Sequence, residues 1–186
     1  NDHNAYAHAL ARCYVQADAD RVLAEVAPLL AMLAEAPPVR GWFTQTFCEE
    51  ARFLHPDNGR RVEGMRRWLA EREPDLDPDV FAVLLVSLME AADRVDSTTG
   101  VQMAYLKQWA PRAMKPLSLR LPAVLPGAGG ATCLDALVAA RELEADLVYM
   151  DPPYNQHSYL SNYHMWESLV LWDAPEAYGI ARKRLD

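Results

Sequence analysis

Apolar positions recur at intervals of three and four through most of the first 110 residues, and that spacing predicts helices. Tyr6, Leu10, Cys13, Tyr14 and Ala17 predict one over about 4–16. Val22, Val26, Leu29, Leu30 and Leu33 form a stripe predicting a second over 19–35, stopped by Pro37-Pro38. Residues 41–53 are aromatic and irregular. Pro56-Asp57-Asn58-Gly59 predicts a turn. Val62, Met65, Trp68 and Leu69 place a helix over 60–71, and Pro74 and Pro78 bracket a linker. A strongly apolar helix is expected over 80–94. After the polar break 96–100, Val101, Tyr105, Leu106 and Trp109 predict another helix, ended by Pro111.

The periodicity then changes. Residues 117–121 alternate as a strand does, 122–130 are a Pro/Gly/Ala loop, and 131–134 read as a brief strand ending on Asp135. A helix over 136–143 follows. Leu147, Val148, Tyr149 and Met150 are an unbroken apolar run with β-formers, which predicts a strand covered on both faces. Tyr163, Trp166, Leu169 and Val170 face inward on an amphipathic helix over 162–172. The expected fold is α/β: a partial sheet domain from 1–19 and 117–186, with a large, mostly helical insertion over 20–116.

Composition narrows this picture. No apolar run approaches the ~20 residues of a membrane span, and no signal peptide opens the chain. Cys13, Cys48 and Cys133 are widely spaced without a CxxC pair, which fits reduced thiols in a cytoplasm rather than disulfides or zinc. No histidine spacing suggests a metal. The net charge of −8 is unfavourable for nucleic-acid binding. Between Arg94 and Arg120, however, five basic residues face the single acid Asp96. Such a face can serve DNA on an acidic chain, or be an ordinary solvated surface.

The chemistry concentrates at Asp151-Pro152-Pro153-Tyr154. An acid at the end of a strand sits where open α/β sheets bind ligands. Two prolines fix φ and remove two donors, leaving carbonyls, and Tyr154 adds a flat ring with a polar tip. This cluster of acceptors beside an aromatic plate suits a planar ligand gripped through amino hydrogens.

The Asp-Pro-Pro-Tyr tetrapeptide, with Asn155, Tyr159, Asn162-Tyr163-His164 and Glu167 after it, resembles the D12 class of DNA adenine-N6 methyltransferases. The resemblance implies a Rossmann-like class I methyltransferase sheet, S-adenosylmethionine as cofactor and double-stranded DNA as substrate. It makes Asp151, Pro152, Pro153 and Tyr154 the catalytic group. Asn1-Asp2-His3-Asn4 is similar to a family segment whose acid grips the cofactor ribose, which points to Asp2; a bare helix N-cap is the other reading. Asp135 would hold the cofactor's adenine amino group, with Ala136 along the ring, or would simply cap the next helix. Arg94, Thr98, Thr99 and Lys107 are expected against DNA phosphates, although Ser97 stands where the family has asparagine. Asn155 and Tyr159 are expected on the same DNA side.

The family's glycine-rich cofactor loop is expected upstream of Asn1, which makes the chain a piece of a larger protein and of little activity alone. A monomeric full-length form and a cognate restriction endonuclease complete the expectation. Two other readings stay open: cytosine-N4 methylation, and a non-catalytic helical nucleic-acid-binding module.

Overall fold

The computed structural model describes residues 1–152 and 158–185. Its centre is α5 (Pro78–Asp93), started by Pro78 and by Asp77, whose Oδ1 accepts the Asp79 amide at 2.8 Å. Val80, Val83, Leu84, Leu85, Val86 and Leu88 are all at most 1% exposed, so the helix is apolar nearly all round and is buried as such a helix must be. Three further helices pack on it: α1 (Ala5–Ala11), α2 (Ala19–Ala34) and α4 (Pro56–Arg72). One contiguous core runs from Ala9 and Cys13 through α5 to Met165 and Leu169, so the N-terminal segment and the helical stretch share their buried surface.

Several helices keep their predicted place but differ in form. The first continues through a π-helical turn, Arg12–Gln16, closed by the Ala17 amide on the Arg12 carbonyl at 2.8 Å. That wide turn aims Gln16 two ways: Nε2 donates to Asp79 Oδ1 at 2.9 Å, and Oε1 accepts the Ala131 amide at 3.0 Å. The irregular aromatic stretch holds a short α3 (Trp42–Thr44) running into a second π-helix, Gln45–Glu50. The turn expected at 56–59 is instead the first turn of α4. Proline is tolerated at N1, where its missing donor would be unpaired anyway, and His55 caps the Asp57 amide.

The helix expected over 101–109 does not form. Gly100 turns the chain at φ 99°, Thr98 bridges Tyr105, and the Leu106 amide goes to the Ser97 carbonyl at 3.0 Å. Once those groups pair across the turn they are unavailable to a helical ladder.

A Rossmann-like sheet is not seen among the described residues. The sheet among the described residues is a two-stranded antiparallel hairpin, β1 (Ala177–Tyr178) with β2 (Lys183–Arg184), in register Ala177 to Arg184. Residues 117–121 are held by side chains instead of a ladder. Asn58 Oδ1 accepts the Leu117 amide at 3.0 Å, Arg94 donates to the Ser118 carbonyl at 3.0 Å, and Ser87 to the Arg120 carbonyl at 2.7 Å. Residues 147–150 contradict their expected burial: Leu147 and Tyr149 are 88% exposed and Met150 81%. A strand is stable only with neighbours to share its hydrogen bonds and cover its faces, and this run has none among the described residues. No described helix is long and apolar enough to cross a membrane.

Candidate functional site

Three segments distant in sequence meet at one end of the helical core. The first is the N-terminus. The Asp2 amide donates to the Thr132 carbonyl at 3.2 Å, and the Asn1 side chain accepts the Leu134 amide at 3.0 Å while donating to the Leu134 carbonyl at 3.0 Å. Residues 1–2 are therefore tied to 132–134, the segment that Asp135 follows directly in the chain.

Each acid uses one oxygen locally. Asp2 Oδ1 accepts the Asn4 amide at 2.8 Å and Asn4 Nδ2 at 3.1 Å. Asp135 Oδ1 caps α6 (Ala136–Glu142), accepting the Leu137 amide at 2.8 Å and the Val138 amide at 3.3 Å. The helix-cap reading of Asp135 is thus realised, and no donor among the described residues reaches its Oδ2. Ala136 is exposed beside it.

The third segment is α7 (Tyr159–Leu171), whose Ser158 side chain accepts the Ser161 amide at 3.4 Å. Glu167, 7% exposed, reaches from α7 to the start of α1: Oε1 accepts the Ala5 amide and Oε2 the Tyr6 amide, both at 2.9 Å. Tyr6 lies 5.4 Å from Tyr163, and Tyr163 lies 6.1 Å from Tyr159, centroid to centroid, forming a chain of rings. Burial, followed by the charge of Asp2, pushes the Tyr6 phenol well above its ordinary pKa, so it stays a neutral donor. The Cys133 thiol is also raised, by burial first and then by Glu167 and Asp2. The loop after α5 also touches α7, where the Gln102 backbone amide donates to the Asn162 carbonyl at 2.8 Å.

Asp151 and Pro152 are exposed on the segment that leads into α7. No described residue pairs an arginine with Asp151. Pro153, Tyr154 and Asn155 lie outside the described residues. The residues expected at DNA divide. Thr99, Lys107 and Tyr159 are exposed, Tyr159 by 40%. Thr98 is buried and its hydroxyl donates to Asp96, which gives it a role inside the loop. Arg94 is spent on the Ser118 carbonyl and lies 3.5 Å from Glu90.

Sequence reasoning from the residues alone missed the parts played by Asn4, Tyr6 and Glu167. A signal for Glu167 existed: it falls on the inward face of α7, one turn after Tyr163 and next to Trp166, where a carboxylate needs a buried partner.

The D12 class N6 adenine-specific DNA methyltransferase family matches residues 1–184. Among curated proteins, the type II methyltransferase M.NlaIII of Neisseria lactamica is 32% identical over 181 residues, covering 93% of this chain and 54% of that protein. The type II methyltransferase M.FokI of Planomicrobium okeanokoites is 36% identical over 138 residues, covering 71% of this chain and 21% of that protein. The modification methylase LlaI of Lactococcus lactis subsp. lactis is 29% identical over 143 residues, 73% of this chain and 23% of that protein. The chain thus spans from about a fifth to about half of the curated relatives it matches. No solved structure matches.

Proposed function

We propose, on the premise that the chain belongs to the D12 class N6 adenine-specific DNA methyltransferase family, that it forms part of an enzyme methylating the N6 amino group of adenine in double-stranded DNA. S-adenosylmethionine, when bound, supplies the electrophilic methyl group. The observation that supports this reading is the tie of 1–2 to 132–134, which joins the backbone of Asp2 to the segment that leads into Asp135; among the described residues each acid receives donors on one oxygen only. Two such acceptors fit the ribose hydroxyls and the adenine amino group of that cofactor, Asp2 for the first and Asp135 for the second, with Ala136 beside the ring.

Adenine N6 is a weak nucleophile because its lone pair is delocalised into the ring. The Asp151 carboxylate and the Pro152 carbonyl accept its two hydrogens and draw the lone pair out of the plane, as preorganised acceptors do for a developing charge. Methyl transfer would leave N6 with the methyl group that the bound cofactor supplies and with one proton to lose. The proton then shed from N6 passes to solvent. Tyr154 stacks on the base once it is flipped from the duplex. In the same reading, the full-length protein carries a Rossmann-like sheet and the helices of 20–116 form the target-recognition region. DNA reaches Thr99, Lys107 and Tyr159. The enzyme works in the cytoplasm as a monomer, alongside a cognate restriction endonuclease.

Methyl transfer from labelled S-adenosylmethionine to adenine in duplex DNA, by the full-length protein, tests this. The Asp151→Ala variant should lose transfer and keep DNA binding. Methylated cytosine as the product, or undiminished transfer by the variant, would overturn it.

A further inference from the structure

We propose that Glu167 is a positioning residue that sets Asp2, the acid assigned here to the cofactor, against the helix that follows the catalytic tetrapeptide. The inference rests on the proposed cofactor role of Asp2.

The first amides of a helix have no intrahelical acceptor. In α1 the residue placed to satisfy them is Asn4, yet its side chain makes no cap and turns back to donate to Asp2 Oδ1 at 3.1 Å. The vacancy is filled from 162 residues away, by both oxygens of Glu167 on the Ala5 and Tyr6 amides at 2.9 Å. An anion at a helix N-terminus is further stabilised by the helix dipole. This division of labour frees Asn4 to orient Asp2. Glu167 has no cation partner among the described residues, so its buried charge rests on these backbone donors.

The arrangement makes a short relay. Glu167 holds the N-terminus of α1, α1 fixes Asn4, and Asn4 fixes Asp2 through a side-chain and a backbone donor. The other end of the relay is α7, which in sequence begins five residues after Tyr154. The Tyr6–Tyr163 ring contact at 5.4 Å braces the same joint. One carboxylate thus fixes the distance between the cofactor's ribose and the helix behind the methylated base.

Glutamine at 167 keeps the shape and one acceptor but turns an NH2 group toward the other amide. In the full-length protein, Glu167→Gln should raise the Kd for S-adenosylmethionine about tenfold, the loss expected for one charge-assisted hydrogen bond. Its Kd for duplex DNA should stay within about twofold of wild type, well below that tenfold step. Val26→Ala, a core change in α2, serves as the control for general destabilisation. The double variant Asp2→Ala/Glu167→Gln should bind the cofactor no more weakly than Asp2→Ala alone, since both changes cut one relay. If Glu167→Gln weakens cofactor binding no more than Val26→Ala does at an equal loss of Tm, or if the two effects add, the relay is wrong while the methyltransferase reading stands. If wild type itself binds no S-adenosylmethionine, both fall.

Discussion

Arg112 closes over Asp96, with its Nε 2.8 Å from Oδ1, and the carboxylate beneath it is only 3% exposed. The same guanidinium donates to the Thr98 carbonyl at 3.1 Å, and the Thr98 hydroxyl completes the ring of donors around Asp96. The break at 96–100 is therefore a folded knot around one buried acid. Arg112→Ala strands that charge. Removing one partner of a fully buried pair costs about 3–5 kcal/mol, and solvent on the arginine side lowers the expectation here to about 2 kcal/mol. Urea denaturation should give that loss for Arg112→Ala and a smaller one for Arg112→Met paired with Asp96→Leu.

His164 supplies a pH dependence. It is fully buried on α7, with Nε2 2.7 Å from the Ala181 carbonyl and Nδ1 3.2 Å from the Ser161 carbonyl. The rings of Phe47 and Phe53 pack around it, and Lys183 and Arg184 stand near on the hairpin. Burial lowers its pKa below the ordinary 6.5, the two carbonyls oppose that, and the neighbouring cations add to it. The unfolded chain then binds the proton more readily than the native state between the depressed value and 6.5. Stability is full above 6.5 and is lost as pH falls through that window. The His164 ring signal in NMR should titrate below 6.5. The fall in Tm on acidification through this window should shrink in His164→Gln.

The basic face divides into working and committed cations. Lys107 is exposed, whereas Arg94 is tied to the Ser118 carbonyl and Glu90. On the proposed function, Lys107→Gln should weaken duplex binding equally for all sequences. It should also reduce the slope of log K against log salt by about one. Arg94→Gln should move the slope less and lower Tm more. Fluorescence anisotropy over a salt series separates the two.

Most of the helices were legible because their evidence is local: Val22, Val26 and Leu33 lie four and seven residues apart and all reach the core. The strands were not, because a strand's stability lives in its neighbours. Residues 117–121 carry the right alternation, and Leu117 is buried while Ser118 is not, yet Asn58, Ser87 and Arg94 hold them in place of a ladder. At the site, residue type and position singled out the tetrapeptide, Asp2 and Asp135 as candidates. The clamp of Glu167 on α1 could not be placed, since nothing in the chain's spacing links residues 5 and 167. The burial of Thr98 was not legible, because its acceptor Asp96 is covered by Arg112, a residue distant along the chain.

The π-turn at Arg12–Gln16 carries one residue more than an ordinary helix would need for the same rise. Deleting a single residue there would tighten the coil and rotate Gln16 off both Asp79 and the Ala131 amide. The chain leading to Thr132 would lose its tether to the first helix, and with it the strip on which Asn1 and Asp2 rest. Loop-length changes can be absorbed at many surface bends of a protein; here the count of residues is itself part of the architecture.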